Sequence, residues 1–460
     1  YGDWLDFYRV RWIDASHTRY HTATGEALVH VYNERIRIKG GAEVVLPVRE
    51  AEWGPITQEL PDGESLALRW TAHRAGSINL GLMAMANAGD LEQALRAAGG
   101  IGMPAQNMLL ADSHGRIAWR LTTRMPNRVG DCDIAAPIDP ALGCDWSGWR
   151  GPAQNPVLVD PPTGRLWTAN ARTADGETLS LLGDSGYALG ARAKQIRDAL
   201  YARQRFNERD LQAIQLDDRA LFFQRWWKLL RAQALASRDP AWTDIEAATR
   251  TWEGRAAPDA VSYRIVREWR LAVISRVKDG LLAPAMAAMG KDFVMPDLPQ
   301  IEGVTWQLVN QRPAHLLPRA YESWDLLFLD AAREVRNDLL KQGPLAERSW
   351  GERNRAAICH PLAKALPWPA KHWLCMPADP LPGDQAMPRI SAPQFGASER
   401  MVVSPGHEAD GLIEMPGGQA GNPLSPYWGA GHEAWVRGDP TPFLPGAAQH
   451  HLVLKAAPSN

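Results

Sequence analysis

The sequence predicts an α+β protein, and three changes of pattern along the chain carry that expectation. From the start to about Trp167, short alternating or apolar runs are broken by Gly-Gly and Asp-Gly turns. From Arg192 to about Gln342, apolar residues recur at helical spacing. After about Pro344, Pro and Gly again divide the chain into short segments, ending in the strand-like run His451 to Lys455. Blocks of strands and blocks of helices, rather than regular alternation, exclude a parallel doubly wound sheet. The expected division is a strand-rich part over 1–190, a mostly helical lobe over 191–343, and a return to the sheet over 344–460.

In the first part, Glu34 to Lys39 alternates polar and apolar residues, and Glu43 to Val48 is a more apolar run, so both read as strands with a Gly40-Gly41 turn between them. Leu91 to Ala98 reads as a short helix with Asp90 as its N-cap, since a carboxylate there can accept from the first orphan backbone N–H groups. In the helical part, Ala193, Ile196, Leu200, Leu211, Ile214 and the run Leu221 to Leu230 follow the helical period. Asn207 with Asp210, and Thr243 with Glu246 as a capping box, are the expected helix starts.

A chain of 460 residues exceeds the roughly 250–300 at which a single core stops growing, so more than one packed unit is expected. The net charge of −2, without a Lys/Arg run, argues against a nucleic-acid partner, because phosphate binding needs concentrated basic surface. No apolar run approaches the roughly 20 residues that span a bilayer, so no membrane partner is expected. Twenty Trp and 35 Pro point to many aromatic contacts and long ordered loops. The four cysteines fall into local pairs, Cys132 with Cys144 and Cys359 with Cys375. They read as two disulfides, against the alternatives of free buried thiols or zinc ligands, whose short knuckle spacing they lack. Disulfides would place the protein in the periplasm or outside a bacterial cell.

Two motif-like features carry little. Gly183-Asp184-Ser185-Gly186 has the form of a protease nucleophile loop but lacks the accompanying His segment, and His17 with His21 has no adjacent Glu for a zinc-protease helix.

Further blocks occur in a telling order. Gly2-Asp3-Trp4-Leu5-Asp6-Phe7 and Glu52-Trp53-Gly54-Pro55-Ile56 stand near the start. Pro104-Ala105-Gln106-Asn107 and Ala111-Asp112-Ser113-His114-Gly115 follow, then Asp145-Trp146-Ser147-Gly148-Trp149, Thr163 to Asn170 and Gly190-Ala191-Arg192. Phe395 to Arg400 and Pro416 to Pro423 close the series. The ordered set resembles the penicillin acylase family over nearly the whole chain. That resemblance implies an αββα four-layer sandwich of the N-terminal-nucleophile hydrolases with a helical insertion. It also implies an amidohydrolase in which a Ser freed by autoproteolysis attacks an amide while its own α-amine takes the hydroxyl proton. An α-amine titrating near about 7.7–8.0 is suited to that work.

Tyr1 cannot be that nucleophile, and the resemblance places this chain after it, so the Ser is expected on a companion chain of the same precursor. The implied substrates are acylated β-lactams or N-acyl homoserine lactones; a catalytically silent scaffold of the same fold is the alternative. Attack builds charge on the carbonyl oxygen, and Asn170 is the expected amide donor to it. Relatives that carry Asn-x-Asn here put their second Asn where this chain has Arg172, which leaves Arg172 as the other candidate. Arg192 resembles the family's active-site arginine, whose fork of donors orients such groups. Tyr1, Met83 and Gln106 align with substrate-contacting positions, with Met85 and Met103 nearby. Asp3, the Leu5 carbonyl, Asp6 and Asp133 resemble a structural calcium site, the alternative being a solvated acidic turn. No cofactor is expected for the chemistry itself.

Overall fold

The computed structural model describes residues 4–183 and 186–456. The chain forms two compact units, Tyr1–Leu166 with Ala174–Ser185, and Trp167–Thr173 with Gly186–Asn460.

The first unit is built on antiparallel strands β1 (Leu5–Val10), β2 (Arg19–Thr22), β3 (Gly25–Leu28), β4 (His30–Ile36), β5 (Val44–Ala51), β6 (Gly54–Glu59) and β7 (Ser65–Trp70). Five of them form one sheet in the order β1-β7-β6-β5-β4. The expected strand at Glu34 to Lys39 is thus shifted, since β4 begins at His30 and ends at Ile36. Alternation along β1 turns Asp6, Tyr8 and Val10 inward, where Tyr8 stacks on Trp53 with ring centroids 5.2 Å apart. The tight turn between β5 and β6 needs Gly54: its φ is +137°, and a Cβ there would lie 2.2 Å from the Leu68 carbonyl oxygen.

Helix α1 (Leu91–Gly99) follows, with Asp90 accepting from the Gln93 N–H at 2.8 Å. Strands β8 (Gln106–Ala111) and β9 (Ile117–Thr122) form the central hairpin. Its turn is tied by Asp112, which accepts from the His114 and Arg116 N–H groups. Strands β10 (Pro126–Val129) and β11 (Asp145–Trp149) pair around the Cys132–Cys144 disulfide, and β12 (Val157–Val159) pairs with β9. Helix α2 (Gly176–Leu182) completes the unit.

The second unit is largely helical: α3 (Ala191–Tyr201), α4 (Glu208–Gln215), α5 (Gln224–Ala236), α6 (Pro240–Thr249), α7 (Val261–Met289), α8 (Ile301–Gln311) and α9 (Trp324–Leu340). Asn207 caps α4 through a reciprocal bond with Asp210. The expected start at Thr243 is wrong: Asp239 caps α6 and Pro240 occupies its first position, so Thr243 lies inside the helix. The Trp-rich composition is used here, with Trp226, Trp242 and Trp306 packed edgewise around α5, α6, α7 and α8. Among the described residues, the strands expected after Pro344 shrink to two short pairs, Ser391–Ala392 with Phe395–Gly396 and Arg400–Val402 with Leu412–Glu414. Among the described residues, the run His451 to Lys455 carries no strand, so the expected return to the first sheet there is not seen.

Candidate active site

Two segments distant in sequence meet in the second unit. The loop Trp167–Thr173 lies along α3, which begins at Ala191 after Gly190. The sequence suggests a strand ending at Ala169-Asn170; the structure has no strand there, and Asn170 adopts φ +59°. Asn is among the few residues that take this left-handed conformation at little cost. The carbonyl of Asn170 accepts from the Ala188 N–H at 2.9 Å, which ties the loop to the chain entering α3.

Arg192 stands in the first turn of α3, where a cation opposes the helix dipole. Its Nη2 donates to the Ala169 carbonyl at 2.8 Å and to Asn170 Oδ1 at 2.6 Å. A guanidinium has only donors, so the amide atom facing it is the oxygen, and the NH2 end of Asn170 is the end turned away from Arg192. At the other end of α3, Trp167 packs edge-on against Tyr201 with centroids 6.0 Å apart. The loop is therefore held near both ends of one helix.

The helix is fixed in turn. Gln195, 5 % exposed, donates to Asp217 Oδ2 at 2.9 Å and to the Arg219 carbonyl at 3.1 Å. Burial alone would raise Asp217, but hydrogen bonds from Arg219 and Gln195 hold its carboxyl below the usual range. Gln300, next to α8, donates to the carbonyls of Tyr187 and Ala188 at 2.5 and 3.2 Å. Sequence reasoning missed Gln195, Gln300 and the Trp167–Tyr201 contact. A buried Gln on a polar helix was the only local signal.

Asn170 and Arg192 are thus brought together; Arg172 lies two residues further on and, like Asn170, is exposed. Met83 and Gln106 both lie in the first unit; Met83 is 69 % exposed in a 3-10 turn, and Gln106 is exposed at the start of β8. Tyr1, Asp3 and Ser185 lie outside the described residues.

Asp6 does not fit the calcium expectation. It is 3 % exposed, and its two oxygens accept from Arg128 Nε and Nη2 at 2.8 and 2.7 Å and from the Trp146 indole at 2.5 Å. A bidentate guanidinium already supplies the countercharge a cation would bring. Asp133 is exposed and accepts from the Ala135 N–H, and Leu5 lies on β1 paired with Trp70. Among the described residues no cluster of His, Cys, Asp and Glu is arranged to hold a metal. Both expected disulfides are present.

A family model described as Penicillin amidase matches residues 1–450. Penicillin acylase 2 proenzyme of Pseudomonas sp. (strain SE83) is 26% identical over 420 residues, covering 87% of this chain and 52% of that protein. Acyl-homoserine lactone acylase QuiP is 26% identical in Pseudomonas fluorescens, over 89% of this chain and 53% of that protein. In Pseudomonas aeruginosa it is 24% identical, over 95% and 57%. The chain spans about half the length of these curated relatives. Among solved structures, a thermostable penicillin G acylase from Alcaligenes faecalis superposes with a TM-score of 0.67 at 16% identity, over 99% of this chain and 87% of that one. At that identity the likeness shows the fold alone, the α+β fold that the chain shares with that acylase.

Proposed function

The chain belongs to the penicillin amidase family, and from that premise we propose that it is part of an amidohydrolase cleaving linear N-acyl amides through an acyl-enzyme. The nucleophile in this reading is an N-terminal Ser on a companion chain. Its α-amine takes the hydroxyl proton, Oγ bonds to the amide carbon, and the proton passes to the departing amine as the C–N bond breaks. Water then repeats the sequence to release the acid.

The observation that carries the reading is the Arg192–Asn170 pair. Arg192 is placed against the helix dipole, and what it does there is hold a left-handed loop and fix one end of an amide. In this proposal the NH2 end of Asn170 donates to the oxyanion, and Arg192 positions it. The bond to Arg192 favours Asn170 over Arg172 as that donor. Met83 and Gln106, with Met85 and Met103, are the proposed acyl-contacting residues of the first unit, where adaptable Met side chains suit an aliphatic chain.

The companion chain also has support in the first unit. Strand β4 is exposed along its whole length, and Val31, Tyr32, Val44, Val45 and Leu46 are each about half exposed. Such surface is what another polypeptide would cover. Substrates are proposed from the relatives: acylated β-lactams, N-acyl homoserine lactones, or both. A periplasmic or secreted location is proposed from the two disulfides.

The test is intact mass spectrometry of the purified complex before and after phenylmethylsulfonyl fluoride, followed by a panel of acyl-homoserine lactones and penicillins. The expected result is one adduct on a companion chain beginning with Ser, with loss of deacylation. A label on this chain, or no label with no turnover, overturns the reading in favour of a different nucleophile or a silent scaffold.

A further inference from the structure

The segment between Cys359 and Cys375 combines exposed apolar and basic residues within a covalently closed loop. Its two cysteines are 16 positions apart and bonded to each other. The residues between them include Leu362, Lys364, Leu366, Trp368, Lys371 and Trp373, and not one Asp or Glu. His360 and His372 are its other titratable side chains.

The base of this loop is fixed. Beside the disulfide, the His360 N–H donates to the Leu374 carbonyl at 2.7 Å and the Met376 N–H to the Ile358 carbonyl at 2.8 Å. Two 3-10 turns, Pro361–Ala365 and Ala370–Leu374, fold the excursion, and Ala363 turns inward at 6 % exposure. The large apolar groups turn outward: Trp368 is 72 % exposed, Trp373 70 %, Leu362 63 % and Leu366 39 %. Side chains of this size gain free energy when they leave water, so a loop pinned with both indoles exposed leaves that gain unused within its own chain.

Composition selects the occupant. Indole rings favour the headgroup level of a bilayer, where an apolar body and one N–H donor are both satisfied. The exposed Lys364 is drawn to anionic lipid, and the loop's sequence holds no carboxylate to oppose that attraction. The β4–β5 hairpin, by contrast, mixes Glu34 and Glu43 with Arg35 and Arg37, as a protein-facing surface does.

We propose that the disulfide-closed loop Cys359–Cys375 docks the protein peripherally on an anionic bilayer, with Trp368 and Trp373 seated at headgroup level. The absence of an apolar run long enough to span a membrane led to the expectation of no membrane partner. Peripheral docking needs no span, and among the described residues no helix is long and apolar enough to cross. This inference does not need the amidohydrolase chemistry and takes from that reading only the companion polypeptide with which the chain is tested, so vesicle binding without deacylation, or deacylation without vesicle binding, tells the two failures apart.

The experiment is cosedimentation of the chain, assembled with its companion polypeptide, with sucrose-loaded vesicles of phosphatidylcholine alone or mixed with phosphatidylglycerol. Wild type is expected to sediment with the anionic vesicles and to be released several-fold at about 0.5 M salt, where the Debye length falls well below 10 Å. Lys364→Ala is expected to weaken binding about fivefold, the effect of one lysine near an anionic surface. Trp368→Ser with Trp373→Ser is expected to abolish it. All these positions are on the surface, and an unchanged melting temperature confirms that each variant is folded. No sedimentation of wild type, or equal sedimentation of wild type and the double Trp variant, overturns the proposal. So does protection of residues 359–375 from amide exchange by the companion polypeptide without lipid, which would mean that a protein covers the loop.

Discussion

Glu302 and the β4–β5 hairpin are opposites. In the helical lobe a carboxylate 2 % exposed is fully met, accepting from Arg225, Arg270 and the Trp226 indole, and the cluster of Trp226, Ile265, Trp269 and Phe328 around it is closed to water. In the first unit, β4 is exposed along its length and β5 over its first half. A two-stranded ribbon wet on both faces has no buried side to hold its register. The lobe is completed by its own residues, whereas the hairpin has the form of a surface completed by another chain. Stability should therefore depend on the lobe, and assembly on the hairpin.

Removing Glu302 is the strongest way to break that contrast. Glu302→Ala strands Arg225 and Arg270 against buried aromatics and is expected to cost about 3–5 kcal/mol of unfolding free energy, measured by urea denaturation followed through Trp fluorescence. A loss below about 1 kcal/mol would show that the lobe is not the stable half.

The candidate site rests on that completed scaffold, so its residues should separate chemistry from stability. Asn170→Ala is expected to lower kcat about 10²–10³-fold, the effect of deleting one oxyanion donor, with the urea midpoint nearly unchanged. Arg172→Ala is expected to leave kcat within a few-fold. The reverse ranking in deacylation assays would reassign the oxyanion contact to Arg172.

The hairpin offers a subtler test. Assembly with the companion polypeptide is expected to slow amide exchange across His30–Ile36 and Val44–Ala51 while leaving α7 unchanged. Val45→Asp is expected to weaken assembly by about 1–3 kcal/mol, as truncating or charging a buried interface residue does. Unchanged exchange in the hairpin on assembly would show that its apolar residues face water in the assembled protein.

What the sequence made legible follows the same divide between local and distant causes. Asp90 and Asn207 were readable as helix caps because the groups they bond lie three residues on. Thr243 misled because Asp239-Pro240, four residues earlier, supplies both the cap and the first helical position. The contacts of Asp6 have a longer-range cause. Its partners Arg128 and Trp146 are 122 and 140 positions away, and no local pattern announces them. The alternation of β1, which sends Asp6 inward beside Tyr8 and Val10, is the local sign that its carboxylate lies on the buried side of the strand. Asn170 and Arg192 were found through family resemblance, and their contact spans 22 positions. The left-handed turn that aims Asn170 has no signature beyond the Asn itself.

The smallest effect concerns the inner face of the first sheet. Tyr8 is 1 % exposed, and burial, opposed by the Arg69 charge and aided by Asp6 and Asp145, pushes its phenol up to about 12. An unfolded phenol ionises near about 10, so between those values the unfolded chain has released a proton that the folded chain still holds. Stability from this group is then complete below about pH 10 and declines as pH rises towards 12, by at most about 1.4 kcal/mol per pH unit. Tyr8→Phe removes the phenol and its long bond to the Cys144 carbonyl. The variant should be slightly less stable at neutral pH and should flatten the alkaline decline. Because Tyr8 belongs to the first unit, the slope it removes should appear in amide exchange of β1 and β7 and not of α7. A Tyr8→Phe change that alters alkaline exchange equally in both would mean that the two units unfold as one, and the contrast between them would be one of surface alone.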